Sequence, residues 1–312
     1  MKRFILSAFL AFFGVYACMV SGQVANAAEN SELRVLTFNI RMSFGEVGKP
    51  TEWKLRKEQV ADIMKAKNYD FIGVQEAIIT QKADLNQVED LKMLLPEYGL
   101  LTRSRMKSEI EGESTPIMWR KDRWEIDAEK QGVFWLSDTP NEPESNSWKG
   151  GCPRTVVWGK FHEITDGKRT GRCVYFINTH FDHMSEKARQ FSAVQIADFV
   201  KKTVEPEATV FVTGDFNTGI NSPAVSYLCG KEADIQGEKR TGPIMMLDTF
   251  RVANPDMKDA PTYHAYGKYL EGGRIDYVLM LGNLKVKSAE IIRTKTEIYP
   301  SDHFPVDAIL AW

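Results

Sequence analysis

The stretch that most restricts the fold of this chain is residues 210–217, an apolar run that leads into Gly-Asp-Phe-Asn. An uninterrupted apolar run of this length is typical of a buried β-strand. Because side chains alternate along a strand, Asp215 and Asn217 are predicted to face the same way at its end. An acid and an amide at one point suit the placement of a water molecule against a metal ion or a phosphorus atom. The other interpretation is a plain strand followed by a turn.

Further strand-like runs and several helical patterns accompany this strand. Strand-like runs lie at residues 34–39, 71–75, 117–119, 132–136, 174–178, 275–280 and 306–310, and helical spacing of apolar residues occurs over 54–67, 80–95 and 186–202. Helices and strands alternate early, whereas hairpin-like strands dominate the middle. This order predicts an α/β (α+β) fold in which two mixed sheets pack face to face with helices outside.

The N-terminus has the pattern of a secretory signal. Two basic residues precede an apolar stretch over residues 4–20, and small residues follow up to Ala27. This pattern predicts a signal peptide over residues 1–27 and an exported protein, periplasmic or secreted. A lipoprotein signal with Cys18 as the lipidated residue is the alternative, and a retained membrane anchor is the third interpretation. Without repeats or linker-like tracts, residues 28–312 are predicted to form one catalytic domain.

The three cysteines that follow the signal do not indicate a disulfide framework. Residues 154–162 and 172–180 are predicted to form a hairpin that turns at residues 165–168 and pairs Cys173 with Phe161. In that arrangement Cys152 is several residue pairs away from Cys173. These two cysteines are therefore predicted not to form a bridge.

The overall charge is mildly acidic. The chain has 40 Lys and Arg residues against 42 Asp and Glu, and loss of Lys2 and Arg3 with the signal would leave a net charge near −4. This balance provides no general basic surface for sequence-independent binding of nucleic acid. The chain also has no P-loop, G-x-S-x-G, HExxH or Cys/His zinc spacing. These absences argue against nucleoside triphosphatases, serine hydrolases and zinc proteases.

Polar residues suited to metal or phosphate chemistry recur at the ends of the predicted strands. Five such groups are present: Asn39; Gln75 and Glu76; Asn178, His180, Asp182 and His183; Asp215 and Asn217; and Asp276 with Asp302 and His303. One polar residue at a strand end is usually a turn or cap residue. Five groups in one chain indicate a shared site.

These groups carry a family resemblance. The motifs Leu-Thr-Phe-Asn at residues 36–39, Val-Gln-Glu at 74–76, Gly-Asp-Phe-Asn at 214–217 and Ser-Asp-His at 301–303 resemble those of the endonuclease/exonuclease/phosphatase superfamily, which includes DNase I-like nucleases, inositol-polyphosphate phosphatases and sphingomyelinases. The resemblance spans residues 33–312. It implies a four-layer α/β sandwich with the active site at one edge of the two central sheets.

The resemblance also implies roles for single residues. Glu76 resembles the principal ligand of a Mg²⁺ or Mn²⁺ ion, a role that suits a carboxylate, and Asn39 and Asp302 complete the metal and phosphate shell. Asp215 resembles the group that orients or deprotonates the attacking water, with Asn217 binding that water or a phosphoryl oxygen. His303, paired with Asp276, resembles the histidine that stabilises the charged phosphate. His180 resembles a second histidine that contacts the phosphate or assists the leaving group.

Other residues are weaker candidates. Arg154 is predicted either to bind substrate phosphate or to form a surface ion pair. His183 is interpreted as structural, and His162 and His264 as surface or loop residues. Tryptophans are explained by core packing, except that Trp148 is predicted to border the site as a substrate contact.

The sequence therefore predicts a divalent-metal-dependent hydrolase of phosphoric esters. A phosphodiesterase resembling nucleases ranks first, and a phosphomonoesterase for inositol or sugar phosphates, or a sphingomyelinase-like enzyme for lipid headgroups, is the alternative. The predicted partner is a phosphate-ester substrate, whether nucleic acid, phosphorylated small molecule or lipid headgroup, bound by a monomer with no obligate protein partner. A non-catalytic surface binding protein with the same fold is the alternative from another class.

Overall fold

The computed structural model describes residues 31–258, 260–294 and 297–312. The predicted signal peptide, residues 1–27, and the alternative lipidation site at Cys18 lie outside the described residues, so both remain predictions. No helix in the described part of the chain is long and apolar enough to cross a membrane.

The described residues form sixteen strands and five α-helices. The strands are β1 (Glu32–Asn39), β2 (Phe71–Gln75), β3 (Ala77–Ile79), β4 (Tyr98–Leu101), β5 (Gly112–Ser114), β6 (Ile117–Arg120), β7 (Trp124–Trp135), β8 (Thr155–Thr165), β9 (Lys168–His180), β10 (Thr209–Asp215), β11 (Glu232–Ile235), β12 (Glu238–Thr241), β13 (Leu247–Asp248), β14 (Asp276–Leu281), β15 (Lys285–Ile291) and β16 (Val306–Ala311). The helices are α1 (Lys57–Lys65), α2 (Gln87–Leu94), α3 (Glu186–Thr203), α4 (Pro223–Leu228) and α5 (Thr249–Ala253).

Twelve of the strands form two six-stranded sheets. The first sheet has the order β15-β16-β1-β2-β6-β4 and the second the order β13-β14-β10-β9-β8-β7. Each sheet contains one parallel pair, β1 with β2 and β9 with β10, and its other neighbouring strands are antiparallel. Helix α1 connects the first parallel pair and α3 connects the second, as parallel strands require a crossover. The prediction of two mixed sheets is confirmed.

Apolar side chains pack between the sheets and on both outer faces. Phe71 of the first sheet stacks on Phe176 of the second, with ring centroids 5.1 Å apart. The outer face of the first sheet is covered by α1 and α2, and that of the second by α3 and α4. The result is the predicted four-layer α/β sandwich, because each sheet buries one face against the other sheet and one against helices.

Two of the predicted helices are shorter than their apolar spacing suggested. The pattern over residues 54–67 divides into a 3₁₀ turn at Trp53–Leu55 and helix α1. The pattern over residues 80–95 begins with a 3₁₀ turn at Ala83–Leu85, and α2 starts only after Asn86, whose side chain accepts a hydrogen bond from Glu89 N. Such an N-cap fixes the start of a helix more strongly than apolar spacing does.

The β8–β9 hairpin turns where the sequence predicted, but its pairing is shifted by one residue. Cys173 pairs with His162 rather than with Phe161, because a bulge between His162 and Ile164 changes the register. Cys152, Cys173 and Cys229 are free thiols.

The two sheets approach closely at Gly73, where a buried polar network joins them. Asn178 of β9 donates hydrogen bonds from Nδ2 to the carbonyl oxygens of Val74 and Pro116, and its Oδ1 accepts one from Gln75 Nε2 at 2.8 Å. Gln75 and Asn178, two of the strand-end residues, therefore join the sheets and do not line a cleft. This network fixes the end of β2 against β9, next to Glu76.

We expect Gly73→Ala to lower the free energy of unfolding by about 1–3 kcal/mol, the usual effect of overpacking. A Cβ atom at this position would lie 2.6 Å from Asn178 Oδ1 and would also clash with Thr213 Oγ1. Urea unfolding followed by circular dichroism would measure the loss. Gly219→Ala is the matched control because nothing lies within 4 Å of its added Cβ. Equal stability of the two variants would show that the sheets are not tightly packed at Gly73.

Candidate active site

A cleft of about 340 Å³ lies at the edge of the two sheets where both parallel pairs end. It is lined by Arg41, Met42, Glu76, Arg105, Glu113, Cys152, Arg154, His180, His183, Asp215, Asn217, Tyr263, Ile275, Asp302 and His303. Seven residues of the predicted strand-end groups thus face one space: Glu76, His180, His183, Asp215, Asn217, Asp302 and His303.

One end of the cleft holds two carboxylates beside one arginine. Glu76 directly follows β2 in a left-handed conformation, with φ 63°, a backbone strain that is common at functional sites. Its Oε2 accepts a hydrogen bond from Met42 N at 3.0 Å and lies 3.6 Å from Arg41 Nη1. Arg41 Nε lies 3.7 Å from Asp302 Oδ2. Burial raises the pKa of Asp302, and the charge of Glu76 adds to this effect. We call Glu76 and Asp302 the acidic end.

Asn39 links the acidic end to the centre of the cleft. Its Nδ2 donates to Glu76 Oε1 at 3.0 Å and to Asp215 Oδ2 at 3.1 Å. Its Oδ1 accepts a hydrogen bond from Arg41 N at 3.0 Å. The sequence predicted Asn39 as a ligand of the metal. In this arrangement its nitrogen faces the carboxylates and its oxygen is engaged by the backbone, so Asn39 positions the two acids.

At the centre, His303 lies between two buried carboxylates. His303 Nδ1 is 2.9 Å from Asp276 Oδ2, and Nε2 is 3.6 Å from Asp215 Oδ2. Burial alone would lower the pKa of His303, but Asp276 and Asp215 together raise it to about 10. Burial alone would raise the pKa of Asp215, but His303 and His180 hold it below its ordinary value. At neutral pH, His303 is therefore an imidazolium and Asp215 a carboxylate.

Asn217 reaches the cleft by a turn and not by strand alternation. Strand β10 ends at Asp215, and Asn217 has a left-handed φ of 49°. Its backbone N–H donates to Asp215 Oδ1 at 2.9 Å, the local bond of an Asx turn. Its side-chain Nδ2 donates to Phe181 O and lies 3.0 Å from His180 Nε2. The predicted convergence occurs, but the physical reason given for it was wrong.

The other end of the cleft contains residues that the strand-end pattern did not find. Glu113 in β5 is buried, with Oε1 2.9 Å from Arg105 Nη1 and 3.4 Å from His180 Nδ1. Burial alone would raise the pKa of Glu113, but Arg105, His180 and Arg154 lower it to about 2. Glu113 precedes an apolar run instead of following one. A search for carboxylates before strands as well as after them would have included it.

The structure excludes one of the two interpretations of Arg154 and places His183 differently from its structural interpretation. Arg154 is only 6% exposed and lines the cleft, so the surface ion pair is excluded. Its Nη2 lies 3.1 Å from Nδ1 of His183, which is exposed at the mouth of the cleft and is not part of the packed scaffold.

Trp148 and Asp182 are not in the lining of the cleft. Trp148 packs its ring against Phe191, and its Nε1 donates to Asp138 Oδ1, so it does not border the site. Its apolar ring is buried in the layer between α3 and the second sheet. Asp182 accepts hydrogen bonds from the backbone N–H groups of Gly151, Met184 and Ser185 and so orders a loop.

The remaining histidines have structural environments. His264 was interpreted as a surface or loop residue, but it is fully buried and stacked on Phe304 with ring centroids 3.9 Å apart. Burial lowers its pKa to about 4. His162 is partly exposed on β8, with Nε2 3.3 Å from Asp127 Oδ2.

The chain is similar to proteins of one family in both sequence and structure. The model of the Endonuclease/Exonuclease/phosphatase family matches residues 36–303. An endonuclease/exonuclease/phosphatase from Bacteroides vulgatus has 30% sequence identity and a TM-score of 0.76, with 89% of this chain and 98% of that chain covered. The mannosyl-6-phosphatase Bt3783 of Bacteroides thetaiotaomicron VPI-5482 has 26% identity and a TM-score of 0.74, with 90% and 100% covered.

A more distant similarity concerns the fold alone. The D. rerio TDP2 complexed with single strand DNA product has 16% identity and a TM-score of 0.65, with 90% of this chain and 100% of that chain covered. No curated protein matches the chain in sequence.

Proposed function

Because the chain belongs to the endonuclease/exonuclease/phosphatase family and is thereby a hydrolase of phosphoric esters, we propose that it is a divalent-metal-dependent phosphomonoesterase for a small phosphorylated molecule of the sugar-phosphate class. The observation that carries this proposal is the size of the cleft. Its volume of about 340 Å³ falls within the range of small-molecule sites. The similarity to a mannosyl-6-phosphatase supports it, and the acidic overall balance of the chain gives nucleic acid no general basic surface.

The acidic end has the donor set that a hard divalent cation requires. Glu76 and Asp302 supply carboxylate oxygens from two different segments of the chain, and both are buried beside Arg41. Two buried carboxylates that face one space are a donor set that suits Mg²⁺ or Mn²⁺. When bound, such an ion polarises a phosphoryl oxygen and stabilises the charge that develops on it. The proposed holders are Glu76 and Asp302, positioned by Asn39.

The centre of the cleft supplies the proton acceptor and the positive charge for hydrolysis. Asp215 is ionised and lies at the base of the cleft, where it orients a water molecule and accepts its proton as the oxygen attacks phosphorus. The imidazolium of His303 remains charged and stabilises the phosphoryl oxygens. Asn217 Nδ2 lies 3.0 Å from His180 Nε2 and positions this histidine 3.4 Å from Asp215. The bond between phosphorus and the ester oxygen breaks, the leaving oxygen takes a proton from solvent to form the alcohol, and Asp215 returns its proton to solvent.

A substrate panel tests this proposal. We expect the purified protein to release inorganic phosphate from mannose 6-phosphate with Mg²⁺ or Mn²⁺, and to lose this activity in excess chelator and regain it when metal is added. The value of kcat/KM for bis(p-nitrophenyl) phosphate and for single-stranded DNA should be lower. We base this expectation on the cleft volume of about 340 Å³, which suits a terminal phosphate on a small alcohol.

Two results would contradict the proposal. A higher kcat/KM for diesters than for every monoester tested would establish the phosphodiesterase that the sequence ranked first. Equal rates with chelator and with metal would exclude the metal dependence.

A further inference from the structure

The cleft continues beyond His180 into a group of residues that the proposed hydrolysis does not use. Arg105, Glu113, Cys152, Arg154 and His183 line this part, which we call the arginine end. His180 lies between two carboxylates: Nε2 is 3.4 Å from Asp215 Oδ2, and Nδ1 is 3.4 Å from Glu113 Oε1. Glu113 Oε1 in turn lies 3.6 Å from Arg154 Nη1. The arginine end is therefore separated from the water-activating carboxylate by an imidazole and a carboxylate side chain.

Arg154 is the unusual residue of this end. Its side chain is 7% exposed, yet Nε and Nη1 have no hydrogen-bond partner among the residues that the structure describes. The nearest carboxylate oxygens lie at 3.6 Å on Glu113 and 4.0 Å on Asp182, beyond hydrogen-bond distance. Buried guanidinium N–H groups without acceptors are unfavourable, and native proteins rarely leave them so.

The neighbouring carboxylates cannot readily satisfy Arg154 because each has other partners. Glu113 Oε1 forms its short contact with Arg105 at 2.9 Å. Asp182 accepts three backbone hydrogen bonds through its two oxygens. Among the described residues, the hydrogen-bond contact of Nη2 is with the nitrogen of His183, which is not an anion. The described part of the chain therefore leaves Nε and Nη1 without acceptors, and Arg154 lines an open cleft in which a ligand can supply them.

A cation is a poorer occupant of this place than an anion. Cys152, Asp182 and His183 have ligand atoms within 4.8 Å of one another, a spacing that metal sites share. However, the guanidinium of Arg154 lies 3.1 Å from the His183 nitrogen and would repel a metal ion there. Burial also raises the pKa of the Cys152 thiol and so favours its neutral form.

We propose that the arginine end is a second anion-binding subsite, in which Arg154 binds a carboxylate or phosphate group carried by the alcohol part of the substrate while the scissile phosphate lies at Asp215 and His303. The inference rests on the proposed function and narrows its substrate class to phosphomonoesters with a second anionic group. A guanidinium with unsatisfied N–H groups on Nε and Nη1 can donate charge-assisted hydrogen bonds to such a group.

Two substrates that differ in a single anionic group test this subsite. Glucitol 6-phosphate and 6-phosphogluconate are both open-chain phosphomonoesters, but only the second carries a carboxylate, in place of a hydroxymethyl group, at the far end. We expect the wild-type enzyme to prefer 6-phosphogluconate in kcat/KM by about tenfold to hundredfold, the usual effect of a charge-assisted hydrogen bond. Arg154→Gln should reduce this ratio towards one, mainly by raising KM for the substrate that carries the carboxylate, and Arg154→Lys should restore part of it.

Controls separate this inference from the proposed function and from misfolding. Arg169→Gln, at an exposed arginine paired with Glu125, should keep the wild-type ratio. Thermal unfolding would verify that the Arg154 variants are folded. Titration calorimetry in an Asp215→Asn background would measure the affinity for both compounds without turnover. The ratio of the two affinities should likewise fall when Arg154→Gln is added.

The inference is overturned if Arg154→Gln lowers kcat/KM equally for both substrates, since Arg154 would then serve the scissile phosphate. It is also overturned if the wild-type protein shows no preference in either turnover or binding. If neither compound releases phosphate but calorimetry still shows the Arg154-dependent preference, the proposed phosphomonoesterase fails and the anion subsite stands.

Discussion

Asp215→Asn is expected to lower kcat by about 10²–10⁴-fold, the usual contribution of a positioned general base. The substitution is nearly isosteric, and the carboxamide oxygen can still accept a hydrogen bond from Asn217 N or from Asn39 Nδ2. It cannot accept a proton from water, and it removes one of the two carboxylates that hold His303 as an imidazolium. The loss should therefore appear in kcat far more than in KM.

Phosphate release at saturating substrate and metal would measure this loss. Asp234→Asn is the matched control because Asp234 is exposed and its Oδ1 accepts a turn hydrogen bond from Gly237 N that asparagine also accepts. We expect the control to retain wild-type turnover and both variants to unfold cooperatively. Turnover of a folded Asp215→Asn protein within threefold of wild type would mean that another group activates the water.

The parts of the fold that sequence predicts best are those determined by local pattern. The buried strand β10 and its terminal Asp215 follow from an uninterrupted apolar run with a single glycine, and the structure has the strand as Thr209–Asp215. The two mixed sheets follow from the order of such runs. Helix starts were less predictable because a cap such as Asn86 outweighs apolar spacing over one or two turns.

Side-chain directions beyond a strand end depend on the backbone conformation that the turn adopts. Glu76 and Asn217 both have left-handed φ angles, which non-glycine residues seldom adopt. The alternation of side chains along a strand therefore does not give the directions of these two side chains. Their convergence in the cleft is held by hydrogen bonds to Met42 N and Phe181 O, residues far away in sequence. No pattern within a short window contains that information.

Arg105 and Glu113 were missed for a related reason. They come from a loop and a short strand, and neither follows an apolar run that would mark a strand end. Only the packing of the first sheet on the second brings them to the same cleft. His264 is the opposite case: it belongs to no predicted strand-end group, yet it is fully buried and stacked on Phe304. Burial of an isolated polar residue is decided by tertiary contacts.

Glu76→Gln is expected to raise the concentration of Mg²⁺ or Mn²⁺ needed for half-maximal activity by at least about tenfold, and to lower kcat/KM by about 10²–10⁴-fold. The expected fall in kcat/KM corresponds to the several kcal/mol by which a bound ion stabilises a phosphoryl transition state. Glutamine keeps the length of the side chain and one oxygen for the hydrogen bond from Met42 N. It removes one of the two charges at the acidic end.

Stability measurements distinguish this loss of metal binding from a loss of catalysis. A ligand that binds the folded state raises the unfolding midpoint, so the wild-type protein should become more stable when Mg²⁺ or Mn²⁺ is added. Glu76→Gln should lose most of this increase, whereas Asp215→Asn should keep it although both variants lack turnover. Without metal, Glu76→Gln should be at least as stable as wild type, because the charge of Glu76 opposes ionisation of the buried Asp302 and raises its pKa. A Glu76→Gln protein that retains the full metal-induced increase would place the ion at other ligands, such as Asp215 and Asp276, and would require the roles of the acidic end and the centre to be exchanged.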